Sequence, residues 1–398
     1  MKPTFFPLII TLICMTALNN RVSGQNSIDK ILSEIEKNNS SLSAMRKNAD
    51  AEKLGNMTGL NPDNPAVEFN YLWGSPDATG NRTDLRFTQS IDFPSAYTYR
   101  NRISELRNNQ AELEYMKQRK SILLEARLVC NDLIYCNALR NELNSRMESA
   151  QDMADSYREK FNAGDAGILE FNKAQLILVN LTKDYEANEI ARNSLLSELM
   201  RLNGGSPVTL DDTAFLTEAV AADFENWYRE AEANNPLLSW VRQEVAVSQA
   251  QEKLNTALSL PKMEGGYMSE KTPGSQFRGI TFGISVPLWE NRNTVKYAKA
   301  RTLALQSAEQ DSKLQFYNNL KLLHGKAVTL SANIEEYRSK LREFSNADLL
   351  LEALDGGEIS LIEYILELSI YYESANNLLA MERDLNRIIA ELNQYRQL

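Results

Sequence analysis

The order of apolar and polar residues divides the chain into short alternating stretches and very long helical ones. Between Asp84 and Phe93, Leu85, Phe87, Ile91 and Phe93 alternate with Asp84, Arg86, Thr88, Ser90 and Asp92. A period of two predicts a strand with one apolar and one wet face. A partner precedes it, with Val67, Phe69, Tyr71 and Trp73 on one side and Glu68 and Asn70 on the other. Gly74-Ser75-Pro76-Asp77 through Gly80-Asn81 supplies the turn between them. The pattern returns where Ile280, Phe282, Ile284 and Val286 alternate with Gly279, Thr281, Gly283 and Ser285, after a loop at Thr272-Pro273-Gly274-Ser275. Such strands, about nine to eleven residues long, can cross an outer membrane when tilted.

After Pro94 and Pro287 the period becomes helical. Positions 126, 129, 133, 136, 140, 143, 147, 150, 154, 157 and 161 hold Ala, Val, Leu, Cys, Arg, Leu, Met, Ala, Ala, Tyr and Phe. Only Arg140 breaks this a/d seam, so the helix packs as a coiled coil. Tyr364, Leu368, Tyr371, Ala375, Leu378, Leu385, Ile389 and Leu392 form a second stripe, broken by Glu382. A helix from Ser95 to Asn162 would be roughly 100 Å long. A soluble enzyme rarely needs such a rod; a protein that bridges a periplasm does.

The chain also repeats itself. Asn39-Ser40-Ser41-Leu42 recurs as Asn235-Pro236-Leu237-Leu238, and Pro65-Ala66-Val67-Glu68 as Pro261-Lys262-Met263-Glu264. Further on Pro94 matches Pro287, Gly164 matches Gly357, Glu170-Phe171 matches Glu363-Tyr364 and Leu199 matches Leu392. Each half reads as a helix, two strands, a very long helix, a glycine-marked turn and a return helix. The expected organisation is a leader over 1–24, a first repeat over 25–205, a linking segment over 206–230 and a second repeat over 231–398. Four strands cannot close a barrel, and open strand edges are not allowed in lipid, so the strands must close with those of other subunits. Three copies would supply twelve.

Composition narrows the chemistry. Lys2, the apolar stretch from Phe5 to Ala17 and Val22-Ser23-Gly24 read as a secretory leader, with Gln25 as the mature N-terminus. The whole chain holds 43 Lys and Arg against 53 Asp and Glu. Removing the leader takes away Lys2 and Arg21 and no acid. The balance becomes 41 to 53, a net charge of −12. Nothing concentrates cations to neutralise phosphates, which argues against a nucleic-acid partner. Beyond the leader no apolar run is long enough for a transmembrane helix. Cys130 and Cys136 point to different helix faces and read as isolated structural thiols. His324 is the one histidine, so neither a His-based triad nor a His-rich zinc site can be assembled. No Walker loop or dinucleotide fingerprint is present. An enzyme, a cofactor and a bound metal are not expected.

Three sets of residues then carry a family resemblance. They are the helix start at Asn235-Pro236, the joins Gln89-Ser90-Ile91-Asp92-Phe93-Pro94 and Ile284-Ser285-Val286-Pro287-Leu288-Trp289, and two helix-reversal segments. Those segments run from Phe161 through Gly164, Asp165 and Gly167 to Glu170, and from Leu354 through Gly356, Gly357, Glu358 and Ser360 to Glu363. In duplicated order they resemble the TolC family of outer-membrane efflux proteins over nearly the whole mature chain. The stretch from Asn64-Pro65 through Tyr71-Leu72-Trp73 to Gln89 and Pro94 is most similar to its heavy-metal cation efflux branch.

The resemblance implies a mostly α fold with a small β part, built as a homotrimer. Its α-helical tunnel would stand in the periplasm and its shared twelve-stranded transmembrane β-barrel in outer-membrane lipid. It implies a passive conduit for exported solutes, metal cations or drugs, serving a periplasmic adaptor protein and an inner-membrane pump. Gly164, Asp165, Gly356, Gly357, Glu358 and Ser360 would dock the adaptor at the hairpin tips. Glu363, with Glu367 one turn on, would line the periplasmic aperture as an acidic ring. A solvated helix face is the plain alternative for both. Trp73 and Trp289, at strand ends, suit an aromatic girdle or simple junction packing. The rival readings of the whole chain are a periplasmic adaptor, which would show one hairpin, and an elongated structural coiled-coil protein.

Overall fold

The computed structural model describes residues 23–76, 80–216, 218–344 and 347–396. The expected leader lies, up to residue 22, outside the described residues. Each half of the chain contributes one series of elements. The first comprises α1 (Ser23–Asn38), α2 (Ser40–Asn56), β1 (Ala66–Leu72), β2 (Arg82–Ile91), α3 (Ser95–Ala163) and α4 (Ile168–Leu202). The second comprises α5 (Phe224–Ala233), α6 (Pro236–Leu258), β3 (Lys262–Thr272), β4 (Ser275–Ser285), α7 (Thr294–Glu343), α8 (Ala347–Asp355) and α9 (Leu361–Asn393). The duplication is therefore structural as well as sequential, and there are two hairpins rather than one.

Two departures from the expected order have local causes. The leading helix of each half is split, at Asn39 and at Asn235. Asn39 accepts a hydrogen bond through Oδ1 from Leu42 N at 2.9 Å, and its Nδ2 donates to Leu202 O at 2.8 Å. Asn235 Oδ1 accepts from Leu237 N at 2.8 Å. Both asparagines are buried N-caps, and Pro236 takes the first helical position, where its missing N–H costs nothing. The second departure is in the long helix of the second half, which is not continuous. It starts late, after a turn with Asn293 at φ 67°, stops at Glu343 and resumes at Ala347. At its end the Phe344 N–H still reaches Lys340 O at 3.0 Å. Helix α3 runs unbroken for 69 residues, about 100 Å at 1.5 Å per residue.

The chain forms two compact units, each drawing on both halves. The first comprises residues up to 43, 118–232 and 317–398. Its core gathers Ile31, Ile35, Ala126, Cys130, Leu133, Ile134, Leu199, Leu202, Val208 and Leu210. The expected seam of α3 runs inward here. Ala126, Leu133, Cys136, Leu143, Ala150, Ala154 and Tyr157 are buried, while Phe161 is exposed at the helix end and stacks on Phe171 at 5.4 Å. The seam breakers are partnered: Arg140 approaches Glu189 at 3.9 Å, and Glu382 meets Arg338 at 2.6 Å. The irregular stretch from 206 to 216 is tied to α3 by Asn137, whose Nδ2 donates to Leu210 O at 2.8 Å and Asp212 O at 3.1 Å.

The second unit comprises residues 44–117 and 233–316. Its core packs Ala96, Ile103 and Leu106 of α3 against Val247, Ala250, Leu254 and Ala257 of α6. Its sheet runs in the order β1-β2-β3-β4, antiparallel throughout, so that β2 and β3 join the two halves and β1 and β4 are left as edges. Among the described residues no helix is long and apolar enough to cross a membrane.

Cys130 and Cys136 are free and buried. Burial pushes the Cys130 thiol up to about 12, and the Cys136 thiol is raised by burial and by nearby Asp132. Because the thiolate is the reactive form, neither should be alkylated by a maleimide or iodoacetamide at pH 8 in the native protein. Both should react after denaturation. Fast native labelling would show that this core opens.

Candidate functional site

The two hairpin tips are built by one device used twice. At the first, the Asp165 N–H reaches back to Lys160 O at 2.8 Å, with Gly164 at φ 84°. At the second, the Glu358 N–H reaches Ala353 O at 2.9 Å, with Gly357 at φ 71°. Each is a Schellman closure, which needs a left-handed residue and takes glycine for it. The return helix is then capped. Glu170 Oε2 accepts from Gly167 N at 2.8 Å, and Glu363 Oε2 accepts from Ser360 N at 2.8 Å. Ser360 Oγ accepts in turn from Glu363 N at 3.2 Å, completing a capping box. The signal is present in the sequence as Ser360-Leu361-Ile362-Glu363.

Tyr157, Ala174 and Leu361 form a buried cluster that holds the tips together, with Ala166 and Leu354 packed on it. Gly164, Asp165, Gly356, Gly357, Glu358 and Ser360 are thus brought to one end of this unit, all exposed. Leu169 and Ile362, equivalent in the two repeats, are also exposed beside the turns. Glu363 is exposed, and hydrogen bonds from the Ser360 backbone and hydroxyl lower its carboxyl below the ordinary range. Glu367 lies further along α9. It lines a cleft of about 290 Å³ beside the break between α7 and α8, together with Tyr337, Lys340, Phe344 and Tyr371.

The sheet of the other unit sorts its side chains by face. Val67, Phe69 and Tyr71 lie across from Phe87, Leu85 and Thr83 on one face, and β3 and β4 continue it with Met263, Tyr267, Ile280, Phe282 and Ile284. Nothing among the described residues covers it: Ile280 is 91% exposed and Phe282 73%. Trp73 and Trp289, at opposite ends, are 81% and 78% exposed. The other face carries charges in pairs. Arg86 approaches Glu68 at 3.5 Å, and Arg82 meets Asp84 at 2.8 Å and Glu270 at 3.1 Å. Among the described residues no three His, Cys, Asp or Glu side chains converge as a metal site.

No protein-family model matches the sequence, and no curated protein matches it. Solved structures do match. The fold is similar to that of the Campylobacter jejuni CmeC outer membrane channel, with a TM-score of 0.74 and 16% identity over 93% of this chain and 85% of that one. It is similar to CusC, whose structures concern folding and transmembrane channel formation, with a TM-score of 0.77 and 12% identity over 93% and 92%. It is also similar to the Vibrio cholerae outer membrane protein VceC, at 0.72 and 14% over 92% and 94%. The chain therefore has the fold of the outer-membrane channels, the one that the TolC-family resemblance implies.

Two outcomes test the tip geometry. A Cβ at Gly357 meets no atom within 4 Å, so Gly357→Val suffers from its φ rather than from space. It should cost the tip about 1–2 kcal/mol, read as faster amide exchange from 353 to 363. Acid should loosen the same tip. Because the Glu363 carboxyl is lowered on folding, its contribution is complete above the ordinary value of 4.5 and is lost as pH falls through the lowered one. Tip exchange should accelerate in that window, and less so in Glu363→Ala.

Proposed function

We propose that this chain is the outer-membrane channel of a tripartite efflux system, a passive conduit for exported solutes. The observation that carries this reading is the open four-stranded sheet, whose apolar face is bare and whose other face is charged and paired. A water-soluble monomer has no use for such a surface, whereas a barrel shared between subunits puts the bare face in lipid and the charged one in a lumen. Three copies close twelve strands, and the helical hairpins then stand in the periplasm. The similarity of the stretch from Asn64 to Pro94 to the heavy-metal branch favours metal cations as cargo.

The tips are the surface for a periplasmic adaptor and, through it, an inner-membrane pump. Gly164, Asp165, Gly356, Gly357, Glu358 and Ser360 shape the two turns, while the exposed Leu169 and Ile362 offer apolar contact beside them. Glu363 is proposed to ring the aperture from its exposed place at the start of α9, and Glu367 to support it one turn on. Three copies of Glu363 about one axis would favour cations and repel anions.

The protein should purify only in detergent, as a trimer with a circular dichroism spectrum dominated by helix. A freely soluble monomer overturns the channel reading. In planar bilayers the channel should be cation-selective and blocked in part by multivalent cations from the periplasmic side. Glutamine at 363 can keep the capping-box hydrogen bond, so Glu363→Gln separates charge from tip folding. It should weaken selectivity and block, and Glu367→Gln should do so less. Unchanged selectivity in Glu363→Gln places the aperture elsewhere.

A further inference from the structure

The bare face of the sheet is apolar only in part. At its turn end, furthest along the strands from the helices, Lys271 of β3 and Arg278 of β4 project on the same side as Phe69, Tyr71, Leu85 and Ile280. The two rows there read Tyr71, Thr83, Lys271, Gln276 and Phe69, Leu85, Ser269, Arg278. Neither row contains an acid. Both cations are exposed, and among the described residues neither makes an ion pair. The opposite face is the contrast, because Arg82 and Arg86 are both matched to carboxylates there. In a chain of net charge −10, two unmatched cations on a face that otherwise carries only apolar and uncharged polar residues need a reason.

Position supplies one. From Arg278 to Val286 is roughly 26 Å along the chain, which rises about 20 Å when tilted as barrel strands are, with Ile280, Phe282 and Ile284 between them on the same face. That is most of the height of an apolar band, so Arg278 and Lys271 sit toward its upper rim. A cation costs most at the centre of a bilayer and little at its surface, where long side chains reach the headgroups. Tyr71 stands in the Lys271 row and Trp73 packs edge-on against it at 5.5 Å, adding the amphipathic aromatics that favour this depth. The side chains are also arranged. Arg278 Nη2 donates to Gln276 Oε1 at 2.9 Å, and Gln276 Nε2 to Ser269 Oγ at 3.3 Å, which draws the guanidinium toward the Lys271 row. Diagonal neighbours on a sheet lie about 7–8 Å apart, close enough for one phosphate to reach both.

We propose that Lys271 and Arg278 form a binding site for the phosphate groups of outer-leaflet lipid headgroups. The site rests on the membrane reading above and goes beyond it, because a barrel needs only apolar contact to remain in lipid. The guanidinium gives two parallel donors to phosphate oxygens and the ammonium adds a point charge. The site would set the depth of the barrel and prefer an anionic lipid with phosphate monoesters to a zwitterionic phospholipid, whose phosphate is already matched by its own cation.

The test uses the full chain in nanodiscs of zwitterionic phospholipid, titrated with a fluorescent bis-phosphorylated glycolipid of the lipid A type. Protease protection in vesicles scores insertion separately. The double variant K271Q/R278Q should insert like wild type but bind the glycolipid roughly 30-fold more weakly, and each single variant about fivefold. Arg86→Gln, on the opposite face, should bind as wild type does. With the dephosphorylated glycolipid, wild type and double variant should bind alike. A double variant that inserts and binds the phosphorylated lipid as tightly as wild type overturns the proposal alone. So does a wild-type protein that does not distinguish the two glycolipids. A wild-type protein that enters no vesicle overturns the membrane reading, and the lipid site with it.

Discussion

The unpaired edges of β1 and β4 constrain everything else in this molecule. A strand edge leaves a row of N–H and C=O groups that water can satisfy and hydrocarbon cannot. The apolar face between those edges cannot remain in water without loss either. Each large apolar side chain left exposed forgoes about 1.5–3 kcal/mol of burial. Val67, Phe69, Ile280, Phe282 and Ile284 are all in that position. No arrangement of one chain meets both demands, since hydrating the edges wets the apolar face. Closure with further copies in lipid meets them together.

The helices answer a different demand, that of holding register over a great length. Apolar seams alone slide, because a heptad repeat is nearly indifferent to a shift of seven. Buried polar groups remove that freedom, as each must find its own partner. Asn188 Nδ2 donates to Cys136 O at 2.9 Å, and Arg192 Nε donates to Asn137 Oδ1 at 2.7 Å, fixing α4 against α3. Further along α3 Arg146 is 4% exposed, its guanidinium 4.2 Å from the ring centre of Tyr372 and its Nη1 3.0 Å from Asn376 Oδ1, fixing α9 against α3. Its Nε has no hydrogen-bond partner, a cost accepted where two hairpins must match.

The features legible in the sequence were those set by period and by glycine. Alternation located β1, β2 and β4 to within a few residues, β3 following only from the loop at Thr272–Ser275 and the repeat, and seven of the eleven a/d positions of α3 are buried. Gly164 and Gly357 marked the reversals because no other residue takes a positive φ as readily. Features that depend on a partner far along the chain were not legible. Nothing local to Arg140 or Glu382 shows that Glu189 and Arg338 will receive them. The capping role of Glu363 was readable from Ser360, yet an acid beside a tip invites a functional reading before a structural one. The meaning of Lys271 and Arg278 depends on register. Only the pairing of Lys271 with Gln276 and of Ser269 with Arg278 sets both cations on the apolar side.

The two halves are alike where one constraint acts on both and differ where it does not. The Asn39 and Asn235 caps, the Schellman turns and the Glu170 and Glu363 contacts are repeated because a helix end must be satisfied wherever it occurs. The long helices are not repeated: α3 is continuous, whereas its counterpart starts late and breaks between Glu343 and Ala347. In the proposed assembly the three copies are equivalent, but the two hairpins of one copy are not, so six hairpins around the axis would alternate between two kinds. Symmetry then leaves each kind free to change separately. A straight helix resists bending along its whole length, while an interrupted one concentrates any bend at the interruption. The cleft containing Glu367 lies at that interruption, so the two hairpins differ most where α7 gives way to α8.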